Sequence, residues 1–207
     1  TALARSLDGG ETWTPEPFVV SDAVPAAPVD FKNPGLALRV SGDAWQHSYD
    51  RGKTWSRPQK LPDFIGARLM CRTDYQILSA SECVLFICGA KKNGDEGRVF
   101  SVRTADGGVT WSLMAYIGDE PEGYTIMPAS AILENGDIFV AVRCASPLRS
   151  VCWIDGYLSR DGGKSYDFVS TPVKYTGFNG NPPALVRMRD GRLCIVYGYR
   201  SRPAGLR

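Results

Sequence analysis

The sequence predicts an all-β protein, a six-bladed β-propeller present here as about four blades. Three observations predict it. One turn motif recurs four times, hairpin-forming strand pairs lie between the copies, and no stretch carries helical periodicity. The first copy is Ser6-Leu7-Asp8-Gly9-Gly10-Glu11-Thr12-Trp13; the others run from Ser48 to Trp55, Thr104 to Trp111 and Ser159 to Tyr166. Their aspartates, Asp8, Asp50, Asp106 and Asp161, fall 42, 56 and 55 residues apart. A single copy would be weak; four in 207 residues is a strong signal.

Each copy reads as a tight turn between strands. The aspartate can accept hydrogen bonds from amides of its own turn, and the glycine two positions on supplies positive φ at little steric cost. Flanking hydroxyls tie the ends, and the closing Trp or Tyr packs against neighbouring structure. A calcium loop is the rival reading, but no copy has the further oxygen ligands and the twelfth-position Glu of an EF-hand.

Between the turns the strands come in order. Ala131-Ile132-Leu133 leads through Glu134-Asn135-Gly136-Asp137 to Ile138–Val142, and Ala184–Met188 leads through Arg189–Arg192 to Leu193–Tyr197. A looser copy joins Tyr75–Leu78 to Val84–Cys88. A third strand enters each box (Val99–Val102; Cys152–Ile154), and a polar fourth such as Asp167–Ser170 follows it. Four strands in about 50 residues is a propeller blade. The Gly-His and Trp-Asp signals of WD40 blades are missing. Residues 1–207 are expected to form one propeller domain, incomplete at both ends, with two complete blades; the inner hairpin between Asp8 and Asp50 is poorly marked.

Composition narrows the chemistry. With 43% hydrophobic and 22% charged residues, the chain is globular rather than disordered. The longest uncharged apolar run, Cys83 to Ala90, is too short to span a bilayer as a helix. A charge of +2 without a basic run gives no nucleic-acid footprint. One histidine, His47, excludes a His-rich zinc site, and its place beside Trp45 reads as a strand position. The six cysteines form no CxxC pair, and the apolar runs around them suggest buried free thiols. No cofactor and no metal are expected.

The four turns resemble the Asp boxes, or bacterial neuraminidase repeats, of the sialidase superfamily. That resemblance implies boxes between the third and fourth strands, on the face away from the active site, so none of the four aspartates is expected to be catalytic. A second segment is similar to the family's E-x-x-x-G-x-L-x-x-N-x-R stretch: Gly136 to Arg143 keeps the glycine-to-arginine spacing, but Ile132 stands where the family has Glu and Ala141 where it has Asn. A third, Gly180 through Tyr199-Arg200 to Arg207, looks like a stretch common in sialidase-like proteins, with Arg200 or Arg207 matching another arginine of the family's triad.

Ligands of propellers meet the loops at one end of the central axis. Those loops are 68–75, 124–128, the region of Arg143 and Arg149, and 199–207. Arginine suits an anionic sugar because its planar fork engages a carboxylate through two charge-assisted bonds. Arg72, Arg143, Arg200 and Arg207 are therefore the expected substrate-binding residues. For catalysis, Asp74 and Tyr75 place a base and a phenol together, although adjacent strand residues face opposite ways. Tyr199 is the alternative phenol. The acidic loop of Asp119, Glu120 and Glu122 reads as solvated charge. The resemblance implies a sialidase-like exo-glycosidase acting on an acidic sugar, with Tyr in place of the usual second carboxylate. The alternative is a non-catalytic propeller that binds glycan or protein, favoured by Ile132. The expected partner is an acidic glycan, with no nucleic acid and no membrane span, in a secreted or periplasmic setting.

Overall fold

The computed structural model describes residues 3–17, 19–20, 28–70, 72 and 74–207. Every regular element among them is a strand. The first are β1 (Leu3–Arg5), β2 (Thr14–Glu16), β3 (Val19–Val20), β4 (Ala37–Ser41), β5 (Ala44–Ser48), β6 (Thr54–Trp55) and β7 (Gln59–Lys60). β1 and β2 flank the Asp8 turn, β3 lies parallel to β6, and β4, β5 and β7 form a three-stranded antiparallel sheet. Two complete blades follow. One is β8 (Tyr75–Ile77), β9 (Cys83–Ala90), β10 (Glu96–Thr104) and β11 (Ser112–Tyr116); the next is β12 (Tyr124–Ile132), β13 (Ile138–Ala145), β14 (Cys152–Ser159) and β15 (Asp167–Val173). The hairpins β16 (Ala184–Arg187) with β17 (Leu193–Val196) and β18 (Gly198–Tyr199) with β19 (Gly205–Leu206) close the chain. The protein is a β-propeller.

Strand β9 shows why the sheets stack. Its alternate residues Cys83, Leu85 and Ile87 enter a core with Leu38, Trp45, Phe100 and Trp111, facing the preceding sheet. The interleaved Val84, Phe86 and Cys88 enter a second core with Ile126, Ile138, Val140 and Val142 of the following blade. Both faces are buried, so the strand is apolar throughout instead of alternating. Each such side chain contributes about 1.5–3 kcal/mol on burial. The inner strands β8, β12 and β16 lie side by side.

The box turns are built as their residues require. Thr104 Oγ1 donates to Asp106 Oδ1 at 2.8 Å and accepts from Gly108 N at 2.9 Å; Asp106 in turn accepts from Thr110 N at 2.9 Å and Thr110 Oγ1 at 2.6 Å. These donors, Thr110 foremost, hold the Asp106 carboxyl below its usual range. All four boxes sit at the same end of their strands, between the third and fourth of each blade where that blade is complete.

Gly108 is one of two tightly enclosed box glycines, with Gly107 beside it. The φ of Gly108 is +85°, and a Cβ there would meet the Trp45 ring at 2.6 Å, whereas Gly162, at φ +73°, has nothing within 4 Å. Gly162→Ala should cost only the left-handed penalty of ~1–2 kcal/mol. Gly108→Ala adds an overpacked indole and should cost about 3 kcal/mol or more, a melting temperature ~6–12 °C lower. Thermal unfolding of the two variants, equal in both, would refute this account of the turn.

Some details differ from expectation. In the repeat with the poorly marked inner hairpin, β4 and β5, joined at Gly42-Asp43 with Gly42 at φ +61°, stand as second and third strands, β5 leading into the Asp50 box. Glu120 is more than solvated charge: it pairs with Arg98 at 3.1 Å and accepts from Lys92 N. His47 lies buried in β5 between the rings of Trp45 and Tyr49, and burial lowers its pKa. Cys83, Cys88, Cys144 and Cys152 are buried free thiols and Cys194 is half-buried; Cys71 falls outside the described residues.

Candidate active-site mouth

Opposite the boxes, the starts of β8 and β12, the β13–β14 loop and the loop before β16 form one end of the molecule. Asp74 enters β8 there, its carbonyl accepting from Phe86 N at 3.0 Å. Its side chain turns to the next blade, where Oδ2 accepts from Ser130 Oγ at 2.6 Å. Ser130 is itself oriented by Gln76, whose Nε2 donates to Ser130 O at 2.9 Å and Oγ at 3.0 Å. Burial pushes the Asp74 carboxyl up to about 6, outweighing the Ser130 bonds that lower it. A carboxyl with such a pKa can give and take a proton near neutrality.

Tyr75 faces the other way. Its ring packs on the core shared with the preceding sheet, so it stands on the opposite side of β8 from the Asp74 carboxyl. Arg72, two residues before Asp74, is exposed at the mouth; its charge reaches the Cys88 thiol, which burial pushes up to about 12. Thr73 lies outside the described residues.

Arg143 is the unusual group. It is only 7% exposed, near the upper end of β13, and no carboxylate pairs with it among the described residues. Its neighbours are neutral: Nη2 donates to Asn179 O and Oδ1, both at 3.2 Å, Nη1 approaches Met127 Sδ at 3.4 Å, and the guanidinium lies 5.3 Å from the centre of the Tyr124 ring. Its Nε is buried without a partner. Burying an unpaired cation costs several kcal/mol unless a ligand supplies the counter-charge.

Two more guanidiniums join it. Arg149, in the β13–β14 loop at φ +56°, lies 5.3 Å from the same Tyr124 ring, and Arg200 Nη1 donates to the same Asn179 carbonyl at 3.0 Å. Neither makes an ion pair among the described residues. The cluster depends on two irregular backbones. β12 carries a bulge, the register passing from Ile126↔Arg143 to Ala129↔Ala141, with Met127 at φ +51° and its amide donating to Cys88 Sγ at 3.1 Å. Asn179 sits at φ +48°, which turns its carbonyl and its side chain toward one guanidinium. Below, buried Lys91 fixes the approach to β12 by donating to the carbonyls of Pro121, Glu122 and Gly123.

Tyr199, the residue before Arg200, is placed together with Arg207. Arg207 stacks 4.6 Å above the Tyr199 ring, and Tyr175 meets that ring edge-on at 5.9 Å. Of the expected site residues, then, Arg143 and Arg200 converge, Asp74 stands on the neighbouring blade, and Tyr75 packs in the core. Ser130, Gln76 and Asn179 were not legible as site residues; only the Asn179-Gly180 pair, a left-handed turn signal, pointed to anything.

The family model described as BNR repeat-like domain matches residues 36–205. The chain belongs to that family. No curated protein matches it in sequence. Solved structures do. A protein of unknown function from Dyadobacter fermentans is 21% identical with a TM-score of 0.63, over 79% of this chain and 46% of that one. The NanB sialidase of Streptococcus pneumoniae, as its K499G mutant, is 17% identical with a TM-score of 0.60, over 97% of this chain and 32% of its own. The α-L-arabinanase of Penicillium chrysogenum, complexed with arabinobiose, is 19% identical with a TM-score of 0.52, over 67% and 43%. The chain thus spans between about a third and a half of these relatives.

Proposed function

We propose that the protein is a glycoside hydrolase of the sialidase-like kind, removing a terminal acidic sugar from a glycan. One observation carries this reading: Arg143 is buried without a carboxylate, with Arg149 and Arg200 converging on its neighbours. A neutral sugar would leave those charges uncompensated, whereas a sugar carboxylate accepts charge-assisted bonds from them. Arg143 and Arg200 hold the carboxylate, Arg149 adds to the positive field, and Arg72 lines the approach. Asp74, protonated below about pH 6, gives its proton to the glycosidic oxygen as the bond to the anomeric carbon breaks. The rest of the glycan leaves as an alcohol, the Tyr199 oxygen takes the anomeric carbon, and water then releases the sugar and returns a proton to Asp74. Tyr199, backed by Arg207, is the one of the two phenols expected from the sequence that the packing of Tyr75 leaves for the reaction. The second reading, a non-catalytic glycan-binding propeller, draws on Ile132 and on that same packing of Tyr75.

Release of fluorophore from a panel of acidic and neutral aryl glycosides tests the reading. Turnover of acidic members alone is expected; turnover of neutral pentosides alone, or of none, overturns it. A second test uses Asn179→Asp. A carboxylate at this position would sit on both Arg143 and Arg200, so the variant should melt higher and lose at least tenfold in affinity for an acidic sugar. Unchanged affinity would separate these arginines from the ligand.

A further inference from the structure

A cavity of about 510 Å³ lies in the sheet before Asp74's blade and has no part in the site above. Its floor is Leu61, Pro62 and Leu69, and its rim carries Asp43, Lys60 and Arg68. The β4–β5 turn at Gly42-Asp43 lines it, at the strand end away from the Asp50 box. It therefore opens on the same end of the molecule as Asp74 and Arg143.

The cavity and the site share a wall. Arg68 and Met70 ladder onto the upper part of β9, through Ala90 N to Arg68 O at 2.9 Å and Met70 N to Cys88 O at 2.7 Å. The same segment then runs on to Arg72 and Asp74. Arg68 is exposed, and the contact shown for its guanidinium is a long approach to the Met70 sulfur at 3.9 Å. In blade order, the cavity comes first, Asp74 next, and the arginine cluster last. An acid must stand at the bond it protonates, so a glycan whose charged end lies on the arginines has its remaining sugars on the far side of Asp74.

We infer that this cavity is the subsite for the uncharged sugars on the leaving side of the bond, sized for about two rings. Its volume is within the usual range for small-ligand sites. The apolar floor suits the faces of sugar rings, and the charged rim offers donors and acceptors to their hydroxyls. The inference rests on the acidic-sugar reading for its geometry, but its binding test does not.

The test fills the cavity. Ala67, half-buried in its wall, is changed in Ala67→Trp, and Arg68→Ala provides a second variant at the exposed rim. Ligand-observed NMR with lactose, a neutral disaccharide, should show binding to the wild type, at least tenfold weaker binding to Ala67→Trp and severalfold weaker binding to Arg68→Ala. For hydrolysis, KM for a trisaccharide ending in an acidic sugar should rise at least tenfold in Ala67→Trp while affinity for the free acidic monosaccharide, which has no leaving-side group, stays unchanged. Lactose bound equally by all three proteins, or not bound by the wild type, overturns the subsite. Lactose binding lost only in the variants, with no hydrolysis of any glycoside, keeps the subsite and removes the catalytic reading instead.

Discussion

Asp74→Asn is expected to abolish turnover and, at neutral pH, to stabilise the fold. Both effects come from one cause. Burial holds the Asp74 carboxyl at about 6, above the 3.8 of an unperturbed aspartate. Between those values the folded protein keeps a proton that the unfolded chain releases, so stability falls as pH rises through the window. Above about pH 6 the ionised group costs about 3 kcal/mol at most, from a displacement of roughly two pH units at 1.36 kcal/mol each. The asparagine variant carries no such charge and still offers an oxygen to Ser130 Oγ. Its melting temperature should exceed that of the wild type at pH 8 and match it near pH 4. Activity moves the opposite way. Loss of a general acid removes about 10²–10⁴ in rate. Wild-type turnover should decline as pH rises through about 6, where the proton needed for the leaving oxygen is lost. A variant with unchanged rate would remove Asp74 from the chemistry, and one equally destabilised at both pH values would contradict the burial argument.

How far the sequence could reach is clear from these same residues. The boxes and the hairpins were readable because their cause is local: a carboxylate satisfying amides four residues away, and glycines at positive φ. Stacking was half readable. The run Val84–Cys88 announces burial, but not that alternate residues serve two different cores. The partners at the mouth were not readable at all, because they are made by chain segments far apart. Ser130 meets Asp74 across 56 residues, and Asn179 meets Arg143 across 36. Alternation in β8 correctly separated Asp74 from Tyr75, yet no pattern in the sequence says which of the two turns toward the next blade. The bulge at Met127 is likewise invisible, since it depends on a thiol of another blade receiving the Met127 amide.

Arg143→Met should remove binding of an acidic sugar without harming the fold, and this combination distinguishes a ligand-binding arginine from a structural one. A structural arginine in a protein core is paired, and removing it strands its carboxylate at a cost of about 3–5 kcal/mol. Arg143 has no such carboxylate among the described residues; it rests on a thioether, an amide, a carbonyl and a ring. Methionine fills much of the same volume and needs no counter-charge. The melting temperature of the variant should therefore equal or exceed that of the wild type. Affinity for an acidic sugar should drop about 100-fold, the equivalent of about 3 kcal/mol for charge-assisted bonds lost. Arg143→Lys keeps the charge but not the planar fork, and should recover only part of that loss. Saturating acidic sugar should raise the melting temperature of the wild type and leave that of Arg143→Met unmoved, because only a ligand that binds the native state shifts its unfolding. A variant that unfolds early while binding the sugar normally would show that the buried guanidinium serves the blade interface, and the acidic-sugar reading would lose its support.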